Sequence, residues 1–171
     1  VLKKPGPHAR ENTSINEKGR FFEDYCNWDR IPEFVKFVKE SPAAQIVAEA
    51  TNSKSIQAFH DHIFVKEPST SKPTPWHQDI PYWPFWGKQI CSAWVSVSEV
   101  TVAESSLEFV RGSHAWGSYF APEAFDGAKN WTTDFDGEPA PDVAADRGSY
   151  DIVGVDVEPG DALFFSAWIL H

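Results

Sequence analysis

The sequence predicts a mainly β domain, an antiparallel sandwich or barrel, preceded by short helices. Helical signals stand first in the chain. From Ser55 onward, β-branched and aromatic residues appear in short runs broken by Pro, Gly and Ser clusters. Helices first and strands afterwards argue against the βαβ alternation of a parallel sheet. At 171 residues, 42% hydrophobic and 15% aromatic, the chain suffices for one ordinary domain whose core needs neither disulfides nor a partner.

The first 20 residues are polar and broken by Pro and Gly, so an irregular arm is expected there. Residues 31–40 place Pro32 at a first helical turn and Phe34, Val35, Phe37 and Val38 on one face, the pattern of an amphipathic helix. Ser41-Pro42 opens a second short helix through Ile46, Val47 and Ala50, ending near Thr51-Asn52. Strands are expected over 56–66, 89–98, 106–110, 154–157 and 162–170, with a tight turn at Glu158-Pro159-Gly160-Asp161 before the last. The stretch between Val110 and Val153 is rich in Gly, Asp, Ala and Pro. A connection this long is functional or solvated, and it reads as a lid at about 112–152. The organisation expected is a single domain over 1–171, with arm and helices in 1–54 packed on a β core in 55–171.

Fifteen Lys and Arg against 25 Asp and Glu give a net charge of −10. The chain therefore lacks the basic field that nucleic acid or an anionic membrane attracts, and a small uncharged or amphiphilic ligand fits better. No run approaches the roughly 18 apolar residues that span a bilayer, and the Val1-Leu2-Lys3-Lys4-Pro5 start has no signal-peptide stretch, so a soluble cytoplasmic protein is expected. Both cysteines, Cys26 and Cys91, stand in apolar neighbourhoods and read as reduced core residues. The chain has no methionine and stops on His171 directly after the apolar run 162–170, which reads as an incomplete copy of a longer chain. Oligomeric state is not legible.

The chemistry concentrates in residues 72–86. His77 and Asp79 are two apart, so on extended backbone an imidazole nitrogen and a carboxylate oxygen point to one face and can share a cation. That spacing alone is weak, because six histidines in an Asp-rich chain meet it readily by chance, and a surface strand pair explains it equally well. A two-histidine, one-carboxylate iron site needs a third ligand from elsewhere and leaves three adjacent positions open. His171, ending a strongly apolar run, is the candidate, with a satisfied core histidine as the alternative. His60-Asp61-His62 is a rival pair on one strand face, better read as pocket lining or structural hydrogen bonding. The aromatics Trp76, Tyr82, Trp83, Phe85 and Trp86, interrupted by Pro81 and Pro84, suggest an apolar rim at an edge or mouth, with core packing as the alternative.

Four pieces in order resemble the phytanoyl-CoA dioxygenase family of Fe(II)/2-oxoglutarate-dependent oxygenases. They are Phe64-Val65-Lys66-Glu67-Pro68 leading to Thr74-Pro75-Trp76-His77-Gln78-Asp79, Cys91-Ser92-Ala93-Trp94, Leu107-Glu108-Phe109-Val110-Arg111-Gly112-Ser113-His114, and Glu158-Pro159-Gly160-Asp161-Ala162-Leu163-Phe164-Phe165 running into His171. The resemblance covers roughly half the chain and implies a double-stranded β-helix (jelly roll). It implies His77, Asp79 and His171 as iron ligands, and Trp94 on the border of the 2-oxoglutarate pocket. Lys66 is the cation near the expected pocket and a candidate for cosubstrate binding, with a solvated lysine as the default. His114 reads as a loop-fixing hydrogen bonder. In the strand over 89–98, Ile90, Ser92, Trp94, Ser96 and Ser98 share one face, suited to a cosubstrate, while Cys91, Ala93, Val95 and Val97 share the other.

The activity implied is hydroxylation of a small organic substrate by dioxygen, coupled to oxidative decarboxylation of 2-oxoglutarate to succinate and CO2. Related halogenases replace the carboxylate ligand with a small residue, so Asp79 points to hydroxylation. In the family a basic residue about ten positions beyond the distal histidine grips the far carboxylate of 2-oxoglutarate. Here a longer chain would have to supply it, or Lys66 or Arg111 stand in. Two other readings remain open at this point: a non-catalytic jelly-roll module binding carbohydrate through exposed Trp residues, and a cupin-like metalloenzyme that uses no 2-oxoglutarate.

Overall fold

The computed structural model describes residues 1–13, 16, 18–70, 73–123 and 137–171, and the chain divides into two compact units, Val1–Lys72 and Pro73–His171. The division falls later than the boundary expected at 54/55. Strand β3 (His62–Lys66) pairs with β2 (Phe21–Tyr25), which ties residues up to 72 to the N-terminal segment.

In the first unit, β1 (Arg10–Glu11), β2 and β3 form an antiparallel sheet in that order, with Phe21 opposite Lys66 and Tyr25 opposite His62. The first 20 residues thus contribute a short strand to what was expected to be an irregular arm. Strand β2 gives no periodic signal in the sequence, because Phe21-Phe22-Glu23-Asp24 has no alternation and all four residues are buried. Both carboxylates have partners. Asp24 accepts from the Gly6 N–H at 2.8 Å and lies 3.3 Å from the Arg30 guanidinium, while Glu23 meets the His62 ring at 3.2 Å. Helices α1 (Pro32–Glu40) and α2 (Ala43–Thr51) form where expected, α1 opening on Pro32 and α2 closing on Asn52 in the left-handed conformation. Neither helix has a fully buried residue; Phe34, Val35 and Val38 of α1 are half-buried. Cys26 and Cys91 are free as expected, but Cys26 is exposed, with a φ of 56°, and is not a core residue.

In the second unit, β4 (Cys91–Val95) pairs antiparallel with β7 (Ala162–Ser166), and β5 (Glu108–Val110) with β6 (Ile152–Gly154). Strands β4, β5 and β7 are shorter than the runs that predicted them, and β6 precedes the run expected at 154–157, sharing Gly154 alone with it. The turn before β7 forms as expected: the Asp161 N–H donates to the Glu158 carbonyl, the Asp161 carboxylate accepts the Glu158 N–H, and Gly160 takes a φ of +99°. Val110, Phe120, Val143 and Leu170 form the core, with Trp76, Tyr150 and Ile152 against them. The lid expected at about 112–152 lies partly outside the described residues, at 124–136. Its described flanks supply Phe120 and Val143 to that core, and Phe120 bridges to Glu138. Among the described residues, no helix is long and apolar enough to cross a membrane.

Candidate metal centre

Alternation and cross-strand pairing decide where three side chains go. The His77 N–H donates to the His171 carbonyl at 2.9 Å, and the His171 N–H returns the bond at 3.0 Å. Residues that exchange both bonds stand directly opposite in an antiparallel pair, and their side chains leave on one face. The two rings are accordingly 4.3 Å apart between centroids. Asp79 follows His77 by two positions, on the same face, and turns directly into a 3-10 helix at Ile80–Tyr82.

The ligand atoms meet in a consistent way. His77 Nδ1 faces the Pro75 carbonyl at 2.8 Å and His171 Nδ1 the Ile169 carbonyl at 3.2 Å. A carbonyl only accepts, so each Nδ1 carries a proton, and in the neutral ring each Nε2 presents a lone pair. Asp79 Oδ1 lies 3.6 Å from His77 Nε2 and 3.8 Å from His171 Nε2. The three donors are within 4.8 Å of one another. An ion about 2.0–2.2 Å from each of its ligands bridges donors up to about 4.4 Å apart, so both carboxylate–imidazole separations suit one cation. Two neutral imidazoles and one carboxylate, each imidazole oriented through its other nitrogen, are a donor set for a divalent transition metal.

The surroundings keep the group in working form. Side-chain exposures of 10% for His77, 6% for His171 and 21% for Asp79 leave the carboxylate as the side open to a further ligand. Burial pushes the His171 imidazole down to about 4, with His77 beside it acting in the same sense and the Asp79 charge opposing, so the ring is neutral and free to bind metal at neutral pH. Burial would raise the Asp79 carboxyl, but the facing His77 and His171 rings in their protonated forms, with the Ser92 hydroxyl, outweigh it and hold it well below the usual carboxylate range. Phe165 and Phe109 pack on the His171 ring at 4.7 and 6.0 Å.

Among the described residues, this is the group the structure brings together in a form that could hold a metal ion. The rival histidines are engaged otherwise: His62 is stacked between Tyr25 and Phe64, each at 3.7 Å, and bonded to Glu23. Lys66 lies on β3 of the first unit, its ammonium 4.7 Å over the Phe21 ring. Trp94 stands two residues from Ser92 on β4, hence on the face that meets Asp79. Arg111 pairs with Asp151 at 3.2 Å, both well exposed. His114 is exposed. The loop-fixing bond expected of it comes from its neighbour Ser113, whose hydroxyl accepts the Leu170 N–H at 2.8 Å.

Of the aromatics beside the metal pair, Trp76 packs on the core, and Tyr82 is edge-on to His77, its hydroxyl donating to the Glu123 carbonyl at 2.6 Å. Trp86 alone is largely exposed, 4.6 Å from both Trp168 and Tyr119. Sequence reasoning placed Ser92 on the cosubstrate face but not against Asp79, and missed Gln78. Gln78 is buried between the two ligands and bonded to Ser118, Phe120 and Trp168.

A probable phytanoyl-CoA dioxygenase of Caenorhabditis elegans is 27% identical over 155 residues, covering 86% of this chain and 44% of its own length. The chain thus spans under half of that relative. The crystal structure of AviO1 from Streptomyces viridochromogenes Tue57 shares the fold, with a TM-score of 0.66 at 17% identity over 99% of this chain and 66% of its own. Residues 7–171 match the family model described as phytanoyl-CoA dioxygenase, and the chain belongs to that family.

Proposed function

We propose that the chain carries the iron centre of an Fe(II)/2-oxoglutarate-dependent dioxygenase that hydroxylates a small organic substrate. The observation that carries this is the convergence of His77 Nε2, His171 Nε2 and Asp79 Oδ1 in one largely buried group. A double-stranded β-helix is the fold we assign. It is supported by antiparallel pairings that join distant segments, β4 with β7 and β5 with β6, and by the likeness to AviO1.

Fe(II) held by His77, Asp79 and His171 would supply the activation of dioxygen, with 2-oxoglutarate as the co-reductant that leaves as succinate and CO2. The chain's own residues do the rest. The carbonyls of Pro75 and Ile169 fix the tautomers and aim both Nε2 atoms, and the reciprocal main-chain bonds between His77 and His171 fix their spacing. Phe109 and Phe165 keep water from the His171 side of the group. Trp94, on the Ser92 face of β4, would border the cosubstrate. Asp79 occupies the place that must be vacated for a halide ligand, which favours hydroxylation over halogenation.

The test is anaerobic addition of Fe(II) and then 2-oxoglutarate, followed by air. A visible absorption band requiring both, and succinate release, are expected from the unmodified chain at high 2-oxoglutarate concentration, where a weakly anchored cosubstrate still binds, and not from His77→Ala. Metal binding with no 2-oxoglutarate-dependent band and no succinate would overturn the cosubstrate assignment.

A further inference from the structure

The two oxygens of Asp79 have different surroundings. Oδ1 faces both imidazole Nε2 atoms, whereas Oδ2 accepts a hydrogen bond from the Ser92 hydroxyl. A carboxylate can bind an ion through one oxygen or both, and the choice depends on whether the second has another partner. We propose that Ser92 is a positioning residue that confines Asp79 to one-oxygen ligation by holding Oδ2 away from the metal. The proposal rests on the metal reading above and adds to it what sets the number of positions the protein itself fills.

Strand register places Ser92 there. It stands opposite Phe165 in the β4–β7 ladder, and directly opposed residues share a face. Phe165 packs on His171 at 4.7 Å, so one cross-strand pair steadies two of the three ligands, one through a hydroxyl and the other through an aromatic ring. A slip of one residue would present Cys91 or Ala93 instead. Neither can donate as Ser92 does: a thiol is a weak donor and a methyl none.

The consequence concerns open positions. An octahedral ion with two imidazoles and a one-oxygen carboxylate keeps three positions for a chelating cosubstrate and dioxygen, whereas a two-oxygen carboxylate leaves two. Ser92 would therefore preserve the position the second reactant needs, without touching the ion.

Co(II) is the probe, since its visible bands report the ligand set and its titration gives an affinity. Thr and Val have the same shape and differ in the hydroxyl, so Ser92→Thr and Ser92→Val separate hydrogen bonding from packing, with circular dichroism as the check on folding. We expect Ser92→Thr to keep the unmodified spectrum. We expect Ser92→Val and Ser92→Ala to bind roughly tenfold more weakly, with shifted bands that mark a second carboxylate oxygen in place of a solvent ligand. Thr and Val variants alike in spectrum, and within about twofold in affinity, would overturn the proposal and leave the metal site standing. No Co(II) binding by the unmodified chain, or equal binding by His77→Ala, would overturn both.

Discussion

His77 and His171 exchange both of their main-chain hydrogen bonds, at 2.9 and 3.0 Å, although 94 residues separate them. Two of the three ligands are thus positioned by backbone pairing, and their imidazoles need not contribute to holding the strands together. His171→Ala is therefore expected to keep the strand pairing while costing the metal-free fold about 1–3 kcal/mol, because the ring's packing on Phe109 and Phe165 and its bond to the Ile169 carbonyl are lost. The same substitution should lower divalent metal affinity by more than about 100-fold, since loss of a ligand exceeds the cost of losing an outer partner. Urea unfolding and calorimetric titration with Mn(II) check the two halves. A variant that binds Mn(II) as well as the unmodified chain would remove His171 from the site.

Ser113 performs a similar fixing task one position away. Its buried hydroxyl accepts the Leu170 N–H at 2.8 Å, and Leu170 is fully buried and itself accepts from the Val110 N–H. Ser113→Ala leaves a buried N–H without a partner. The expected loss is about 1–3 kcal/mol in urea unfolding, with weaker metal binding because His171 is the next residue. A loss below about 0.5 kcal/mol would mean that water replaces the hydroxyl.

In the first unit, burial pushes the Glu23 carboxyl up, but the His62 hydrogen bond, helped by Asn12, the His62 charge and Tyr25, brings it below its ordinary range. A carboxyl with a lowered folded-state value contributes stability that is present above its unfolded value and lost as pH falls through the folded one. Unfolding midpoints should therefore fall on acidification below the ordinary glutamate range, and fall less in Glu23→Gln, which has no proton to take up there. Equal acid sensitivity in the two proteins would show that other carboxylates carry the effect.

Much of the site was legible because its signals are local. The His77-Asp79 spacing and the apolar run into His171 are read directly along the chain, and alternation put Ser92 and Trp94 on one face. What alternation could not show is what that face meets. The Ser92 bond to Asp79 depends on tertiary placement across 13 residues, and the pairing of His77 with His171 on main-chain atoms that carry no residue identity. Strand β2 was hidden for another reason: Glu23 and Asp24 are buried by partners outside the strand, His62 and Arg30 among them, so polarity misreported burial. The helical faces of α1 and α2 were correctly periodic, yet periodicity states which residues could be buried and not that they are.

Gln78 is the residue on which the ligand segments converge. It is 2% exposed and lies between His77 and Asp79, so its side chain leaves on the opposite face. There its amide nitrogen donates to the Trp168 carbonyl at 2.9 Å and the Ser118 carbonyl at 3.2 Å, and its oxygen accepts the Phe120 N–H at 3.1 Å. One side chain thus joins the segment bearing two ligands, the turn leading to the third, and the 118–120 stretch that supplies Phe120 to the core. Gln78→Leu preserves volume but leaves three main-chain groups unpaired, an expected cost of about 3 kcal/mol or more. Gln78→Glu should be worse, because it removes both donors and turns a carboxylate toward two carbonyl oxygens. Metal affinity should fall in the same order, since the outward pull on residues 77–79 and the brace beneath residue 168 are lost together. Urea unfolding of the metal-free proteins and Mn(II) titration of each provide the measurement. A Gln78→Leu chain less than about 1 kcal/mol destabilised would show that the three main-chain groups find other partners and that Gln78 does not brace the site.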